Sequence, residues 1–347
     1  MCIRDSLKFG LDTFGDVTHT ATGERESYAR VLRNLVEQAV LADQVGVDAF
    51  GIGEHHRDDF AVSAPDVVLA AIAGRTERIV LGSAVTVLSS DDPIRVYERF
   101  ATLDGLSGGR AEVRLGRGSF TESFPLFGFD LADYEVLFDE KLDLFAALLD
   151  EQPVTWSGTT RPPLSGVRVF PTTERGRLRS WIGVGGSPES VVRAARYGIP
   201  MMLAIIGGPA ARFAPFADLY RRALTELGRE ELPLGVHSPG HVAETDELAR
   251  EQLYPHFKAN RDRIGRERGW GPATRDQFEA EAEAGALYVG SPATVAAKIA
   301  ETARTLGLTR FDLKYANGPM PHEQLLRSIE LYGTEVVPLV RELLAGD

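Results

Sequence analysis

The sequence predicts an α/β chain folded as one (β/α)8 barrel of the TIM type, and three observations lead there. Short apolar runs alternate with amphipathic stretches along the whole chain, the pattern of parallel strands joined by crossover helices. Eight of those runs qualify as strands, and eight is the number that closes such a barrel. At 347 residues the chain exceeds a usual single core, yet barrels reach this length as one domain.

Taken in order, the strands are read at 7–14 (LKFGLDTF), 48–54 (DAFGIGE), 79–85 (IVLGSAV) and 111–116 (AEVRLG), then at 180–186 (SWIGVGG), 200–206 (PMMLAII), 233–238 (PLGVHS) and 310–315 (RFDLKY). Helices fall between and after them at 27–45, 65–76, 94–106, 134–149, 188–197, 209–227, 292–306 and 321–344, the last with a break near Gly333. Two segments exceed the minimal repeat. Residues 151–179, rich in Pro, Thr, Gly and Arg, form an excursion before strand 5 with short β-like pieces, VTWSG and GVRVF. Residues 245–285, highly charged around Gly265, Gly269 and Gly271, form a lid-like insertion between strands 7 and 8; a mobile flap and a solvated helical hairpin both fit the composition. The first six residues, MCIRDS, read like a translated sequencing adapter and are expected to be a non-native leader, leaving 7–347 as a single domain.

Composition excludes several functions. No apolar run approaches the roughly 20 residues that cross a bilayer. With 50 acidic against 38 basic residues the formal charge is -12, which repels phosphate backbones and anionic membranes, so neither nucleic acid nor membrane is an expected partner. Cys2 is the only cysteine, which leaves no disulfide framework and fits a reducing, cytoplasmic setting.

In such barrels chemistry gathers where strands end. Strand 2 ends in Glu54-His55-His56, strand 3 in Ser83-Ala84-Val85-Thr86, strand 4 runs into Arg114-Leu115-Gly116-Arg117-Gly118-Ser119, and strand 5 ends in Gly185-Gly186-Ser187-Pro188. The glycines let backbone approach a ligand, Ser187 suits an N-cap and Pro188 a first helical position, so the following helix starts with free amides that favour a phosphate. Arg117 is placed to add charge-assisted bonds to the same anion. A second Gly-Ser-Pro at 290–292 is expected to be only a cap. Adjacent His55 and His56 on extended backbone point apart, unlike the HExxH pair on one helix, and no metal site is expected. No GxSxG elbow, Walker A or strand-1 GxGxxG appears.

Five motifs in order carry a resemblance: GEHH at 53–56, LGSAVTVLSSDDPIR at 81–95, LDGLSGGRAEVRLGRGS at 103–119 followed by FPLFGFD, GGSPES at 185–190, and YANGPMPHEQLLRSIELYGTEVVPLV at 315–340. With them the chain resembles the bacterial luciferase-like, flavin-dependent monooxygenase family. The resemblance implies FMN at the C-terminal ends of the strands. A cis peptide Ala84-Val85, with Thr86 beside it, would lie under the flavin ring, and Arg117, Gly186, Ser187 and Ser190 would hold the flavin phosphate, with Gly185 also among the cofactor-binding residues. His55 would face the reactive side of the ring, with Glu54 supporting it. The implied reaction is a two-component one, in which a separate flavin reductase supplies reduced FMN, O2 adds to the ring, and the resulting peroxyflavin delivers one oxygen atom to a small organic substrate. A histidine with an ordinary pKa near 6.5 suits proton exchange there.

The chain also departs from the light-emitting members, which carry a cysteine where Gly116 stands. Relatives on the same barrel bind a deazaflavin and transfer hydride; that cofactor's anionic tail needs an extra basic groove, for which Arg114, Arg161, Arg168, Arg175, Arg177 and Arg179 are the candidates. A non-catalytic flavin-binding protein is a further reading, and so is a metal-dependent hydrolase using His55, His56, Asp58 and His237. The helix within APDVVLAAIAGRT, small and apolar on more than one face, suits either a homodimer interface or the barrel's own wall.

Overall fold

Along β-strands such as 8–13, 111–116 and 310–314, apolar side chains alternate with a charge or a glycine, and that alternation organises the barrel interior. The computed structural model describes residues 7–118 and 120–346, so the expected leader at 1–6 lies outside the described residues, as does Ser119 of the strand-4 motif. The barrel strands are β1 (Lys8–Thr13), β2 (Ala49–Ile52), β3 (Val80–Ser83), β4 (Ala111–Gly116), β5 (Arg179–Val184), β6 (Met201–Ala204), β7 (Leu234–Val242) and β8 (Arg310–Lys314). Each pairs in parallel with the next, and β1 pairs with β8 through Phe9↔Phe311 to close the ring.

Phe9, Leu11, Phe50, Val113, Leu203 and Phe311 are fully buried in the layer between strands and helices. The alternate positions carry the barrel's polar interior. Arg114 reaches Asp12 at 2.6 Å and Asp312 at 2.8 Å. Arg310 reaches Asp312 at 2.7 Å and Glu112 at 3.1 Å, and His237 lies 2.6 Å from Asp12. Glycines make room for these groups: a Cβ on Gly10 would stand 1.9 Å from the Asp312 carboxylate, and one on Gly51 2.1 Å from that of Asp12. Burial would push the Asp12 carboxyl up, but the guanidinium of Arg114 and the bond to His237 hold it well below the usual range.

Most expected elements appear within a residue or two. The helix predicted at 209–227 differs: it opens as a short 3-10 turn, Ala210–Phe213, and becomes α-helical at Ala214–Glu226. Strand 7 runs four residues further than expected, to Val242, because its far end pairs with an additional short strand, Tyr288–Gly290. The final helical stretch breaks where expected, into His322–Leu331, a π-helical Tyr332–Val336 that includes Gly333, and Val337–Leu343. The excursion before β5 contains an antiparallel hairpin, Val154–Trp156 with Leu164–Val167. The charged insertion is the helical hairpin of the two readings: helix Asp246–Arg268, then Arg275–Glu283 opened by a Thr274–Gln277 capping box. Helix Pro65–Ala73 buries Leu69, Ile72 and Ala73 in the barrel wall and leaves Val67 65% exposed. No helix among the described residues is long and apolar enough to cross a membrane.

Candidate active site

The C-terminal ends of the strands surround a hollow of about 360 Å³, within the range of small-molecule sites. Its lining includes Glu54, His55, Ala84, Val85, Arg117, Gly185 and Ser190, seven of the residues singled out above. The Ala84-Val85 peptide is cis, as the resemblance implied. Val85 packs against β4 so closely that a Cβ on Gly116 would come within 2.5 Å of it, which leaves no space for the cysteine of light-emitting relatives.

The anion end is built at the start of helix Pro188–Tyr197. Ser187 is its N-cap, with its side chain accepting from the Ser190 amide at 3.3 Å and its hydroxyl donating to the Ser190 hydroxyl at 2.9 Å. Gly186 before it sits at φ 107, a left-handed conformation that favours glycine. Arg117 packs over the Tyr134 ring at 5.4 Å and bonds the Glu135 carboxylate. Arg193, absent from the sequence reading, also lies here: it is 3.5 Å from the Ser190 hydroxyl, 3.7 Å from Glu135 and 2.8 Å from Asp139. Its position on the helix face, six residues after the N-cap, was the signal that could have found it. Glu135 thus rests between the two arginines that flank the helix start. Gly186 and Ser187 stand behind this edge rather than in the lining, and Thr86 lines a separate chamber, its hydroxyl donating to Ser83 at 2.9 Å.

At the other end His55 sits in an aromatic cage, stacked on Phe60 at 4.2 Å, tilted to Phe14 at 4.9 Å and edge-on to Phe120 at 5.3 Å. Burial among these rings, with Lys314, His56 and Arg57 nearby, pushes its pKa down to about 3. Its ring is therefore neutral across the physiological range, unlike the freely titrating imidazole expected from the sequence, because an apolar cage penalises the charged form. The sign for stability follows: the unfolded imidazole takes up a proton near its ordinary pKa while the folded one does not, so stability is full above about 6.5 and declines as pH falls towards 3. In urea titrations between pH 6 and 4, His55→Gln is expected to flatten the pH dependence by up to about 1 kcal/mol per pH unit. An unchanged slope would mean that the ring is not desolvated.

The neighbouring imidazole goes elsewhere. His56 Nε2 meets Glu54 Oε1 at 3.0 Å, and Glu54 Oε2 accepts from the Val87 amide at 3.0 Å. Among the described residues no group of three or more His, Cys, Asp or Glu is placed to hold a metal. Arg57 ties the cage to the helical hairpin: it reaches Asp59 at 3.1 Å, Glu122 at 2.5 Å and Glu267 at 2.6 Å, and lies over Phe120 at 4.6 Å. Arg263 of the same long helix reaches Asp59 at 3.0 Å and also bonds Asp58.

Of the arginines expected to form a basic groove for a deazaflavin tail, Arg114, Arg161, Arg177 and Arg179 do not meet at this rim. Arg114 is 1% exposed inside the ion network. Arg177 and Arg179 line a larger hollow, about 730 Å³, at the opposite mouth of the barrel, among residues that begin strands. Arg161 pairs with Asp92 at 3.3 Å.

Comparison with known proteins agrees with this architecture. A crystal structure of the monooxygenase RslO1 from Streptomyces bottropensis superposes with a TM-score of 0.81 at 26% identity, covering 95% of this chain and 99% of that one. An F420-dependent secondary alcohol dehydrogenase shares the fold, with a TM-score of 0.75 at 17% identity over 96% of this chain and 98% of its own. The N-acetyl-S-alkylcysteine monooxygenase of Bacillus subtilis (strain 168) is 32% identical over 228 residues, 64% of this chain and 63% of that protein. The profile of the luciferase-like monooxygenases matches residues 12–310, and the chain accordingly belongs to that family of oxygen-incorporating oxidoreductases.

Proposed function

We propose that the protein binds reduced FMN, received from a separate flavin reductase, and uses it with O2 to insert one oxygen atom into a small organic substrate. The observation that carries this reading is the shared lining: Arg117 and Ser190 at one end of a single hollow, His55 at the other, with the Ala84-Val85 peptide between. The donor set fits the cofactor. Helix-start amides, the Ser190 hydroxyl and Arg117, with Arg193 behind, suit a phosphate monoester, and Gly185, where a Cβ would meet nothing within 4 Å, leaves the approach open. When bound, the flavin supplies the two electrons and the activation of O2.

The chain's own residues do the rest. Arg117 and Ser190 fix the phosphate and so the depth of the ring. Phe14, Phe60 and Phe120 exclude water around the reacting centre, and neutral His55 offers a hydrogen bond there without a charge. Glu54 braces His56 against the Val87 amide. The dispersal of Arg114, Arg161, Arg177 and Arg179 away from the rim favours FMN over a deazaflavin with its longer anionic tail. A homodimer pairing through the face that carries Val67 belongs to the same proposal.

The test is to titrate the apoprotein anaerobically with reduced FMN and, separately, with a reduced deazaflavin, and then to admit oxygen. Saturable FMN binding, with reoxidation slower than that of free reduced FMN, is the expected result. Binding of the deazaflavin alone would overturn the reading.

A further inference from the structure

We propose that Glu54 and His56 form a proton relay that links the main hollow to solvent through the adjoining chamber. The inference rests on the flavin reading above and adds a route to it.

The chamber, about 240 Å³, is large enough for several waters and shares one wall with the main hollow. That wall is made of Glu54 and His56, the two residues that line both spaces. The rest of its lining is mixed: Phe100, Phe127 and Phe129 cover part of it, while Asp66, Ser90, Asp91, Asp92 and Arg99 provide a polar side along which water can reach the pair. It communicates with bulk water, since the side chains of Asp92 and Arg99 are 40% and 38% exposed. The wall itself is 10% exposed at both side chains, so a proton crosses it by way of these groups rather than through open solvent.

Geometry fixes the pair for this task. The Val87 amide donates to one Glu54 oxygen, which turns the other towards His56 Nε2. That bond sets the imidazole with its Nε2 proton on Glu54 and leaves Nδ1 without a partner among the described residues. Phe127 holds the ring edge-on at 5.0 Å. The titratable and charged groups around His56 come from several elements: Glu54, the neutral ring of His55 and Arg57 on its own loop, Asp66 on helix Pro65–Ala73, Asp91 and Asp92 before helix Pro93–Ser107, Arg99 on that helix, and Glu122 and Arg117 beyond β4. His55 is less suited to the same work, because Phe14, Phe60 and Phe120 enclose its ring and the charged neighbours Lys314 and Arg57 oppose its taking up a proton.

The chemistry demands such a route. Reduction of O2 by two electrons, with one oxygen atom going to substrate and the other leaving as water, consumes two protons. The reduced flavin anion carries one, and solvent must supply the second. Without substrate the same flavin and O2 give hydrogen peroxide and again take one proton from solvent.

Two measurements test the relay. In the apoprotein, ¹⁵N spectra of the His56 ring are expected to show the Nε2–H tautomer alone, and Glu54→Gln to produce a mixture. In weakly buffered solution with a pH indicator, the wild-type protein loaded with reduced FMN is expected to take up one proton per flavin as oxygen is admitted. His56→Gln keeps a donor for Glu54 but carries no transferable proton, and is expected to slow that uptake by on the order of 10²-fold or more. Reduced-FMN affinity should stay within two-fold. Added imidazoles should restore the uptake, the restoration varying with their basicity, which loss of a mere packing role would not produce. Uptake at the wild-type rate in His56→Gln overturns the relay. Failure of the wild-type protein to bind reduced FMN overturns the flavin reading instead.

Discussion

Arg114→Met is expected to cost about 3–5 kcal/mol of stability, or to prevent folding, because it removes the guanidinium shared by the buried Asp12 and Asp312 carboxylates and leaves only His237 on one and Arg310 on the other. Asp12 and Asp312 are 0% exposed, so water cannot replace the lost guanidinium. Urea unfolding followed by tryptophan emission measures the effect, since Trp181 donates to Glu112 at 3.3 Å within the same network. Adding Asp12→Asn and Asp312→Asn to the variant should recover part of the loss by removing the under-compensated charges. A single Arg114→Met protein within about 1 kcal/mol of wild type would show that water or rearrangement already compensates the carboxylates.

Arg117→Ala is expected to weaken reduced-FMN binding by about 10–100-fold, the value of a hydrogen bond to a charged group. Riboflavin, which lacks the phosphate, should bind both proteins alike, and that contrast separates loss of an anion contact from general damage. Glu135→Gln should act in the opposite direction. Its carboxylate rests on Arg117 and lies 3.7 Å from Arg193, so an incoming phosphate must displace it. Equal weakening of FMN and riboflavin in Arg117→Ala would remove the arginine from the phosphate contact and give it a purely structural role over Tyr134.

Much of this architecture was legible in the sequence because strand and helix periodicities are local properties. The strand ends were legible for the same reason: Gly-Gly-Ser-Pro states its turn, cap and helix start within four residues. What escaped was pairing across the barrel. Gly10, Gly51 and Gly82 read as ordinary strand glycines until β8, β1 and β4 bring Asp312, Asp12 and Glu112 against them. Arg114 was read as a rim cation because nothing local reveals partners about a hundred residues earlier and two hundred later. His55 and His56 were separable by the pleat of an extended chain, but their division into a caged ring and a braced ring depends on Phe14, Phe120 and Val87, which other strands deliver. The choice between flap and hairpin for the charged insertion was likewise open until Arg57 and Arg263 joined it to the strand-2 loop.

That junction responds to the medium differently from the barrel interior. Ala249 and Leu253 bury the first half of the long helix, whereas Arg57 and Arg263 tie its far half to the strand-2 loop by ion pairs, and the Glu267 side chain in the bond is 44% exposed, so dissolved ions compete for it. The carboxylates beneath are sealed from those ions. Ionic strength therefore acts on the outer tie and spares the foundation: a saltier medium weakens the hold on the far half of the helix without loosening the staves below.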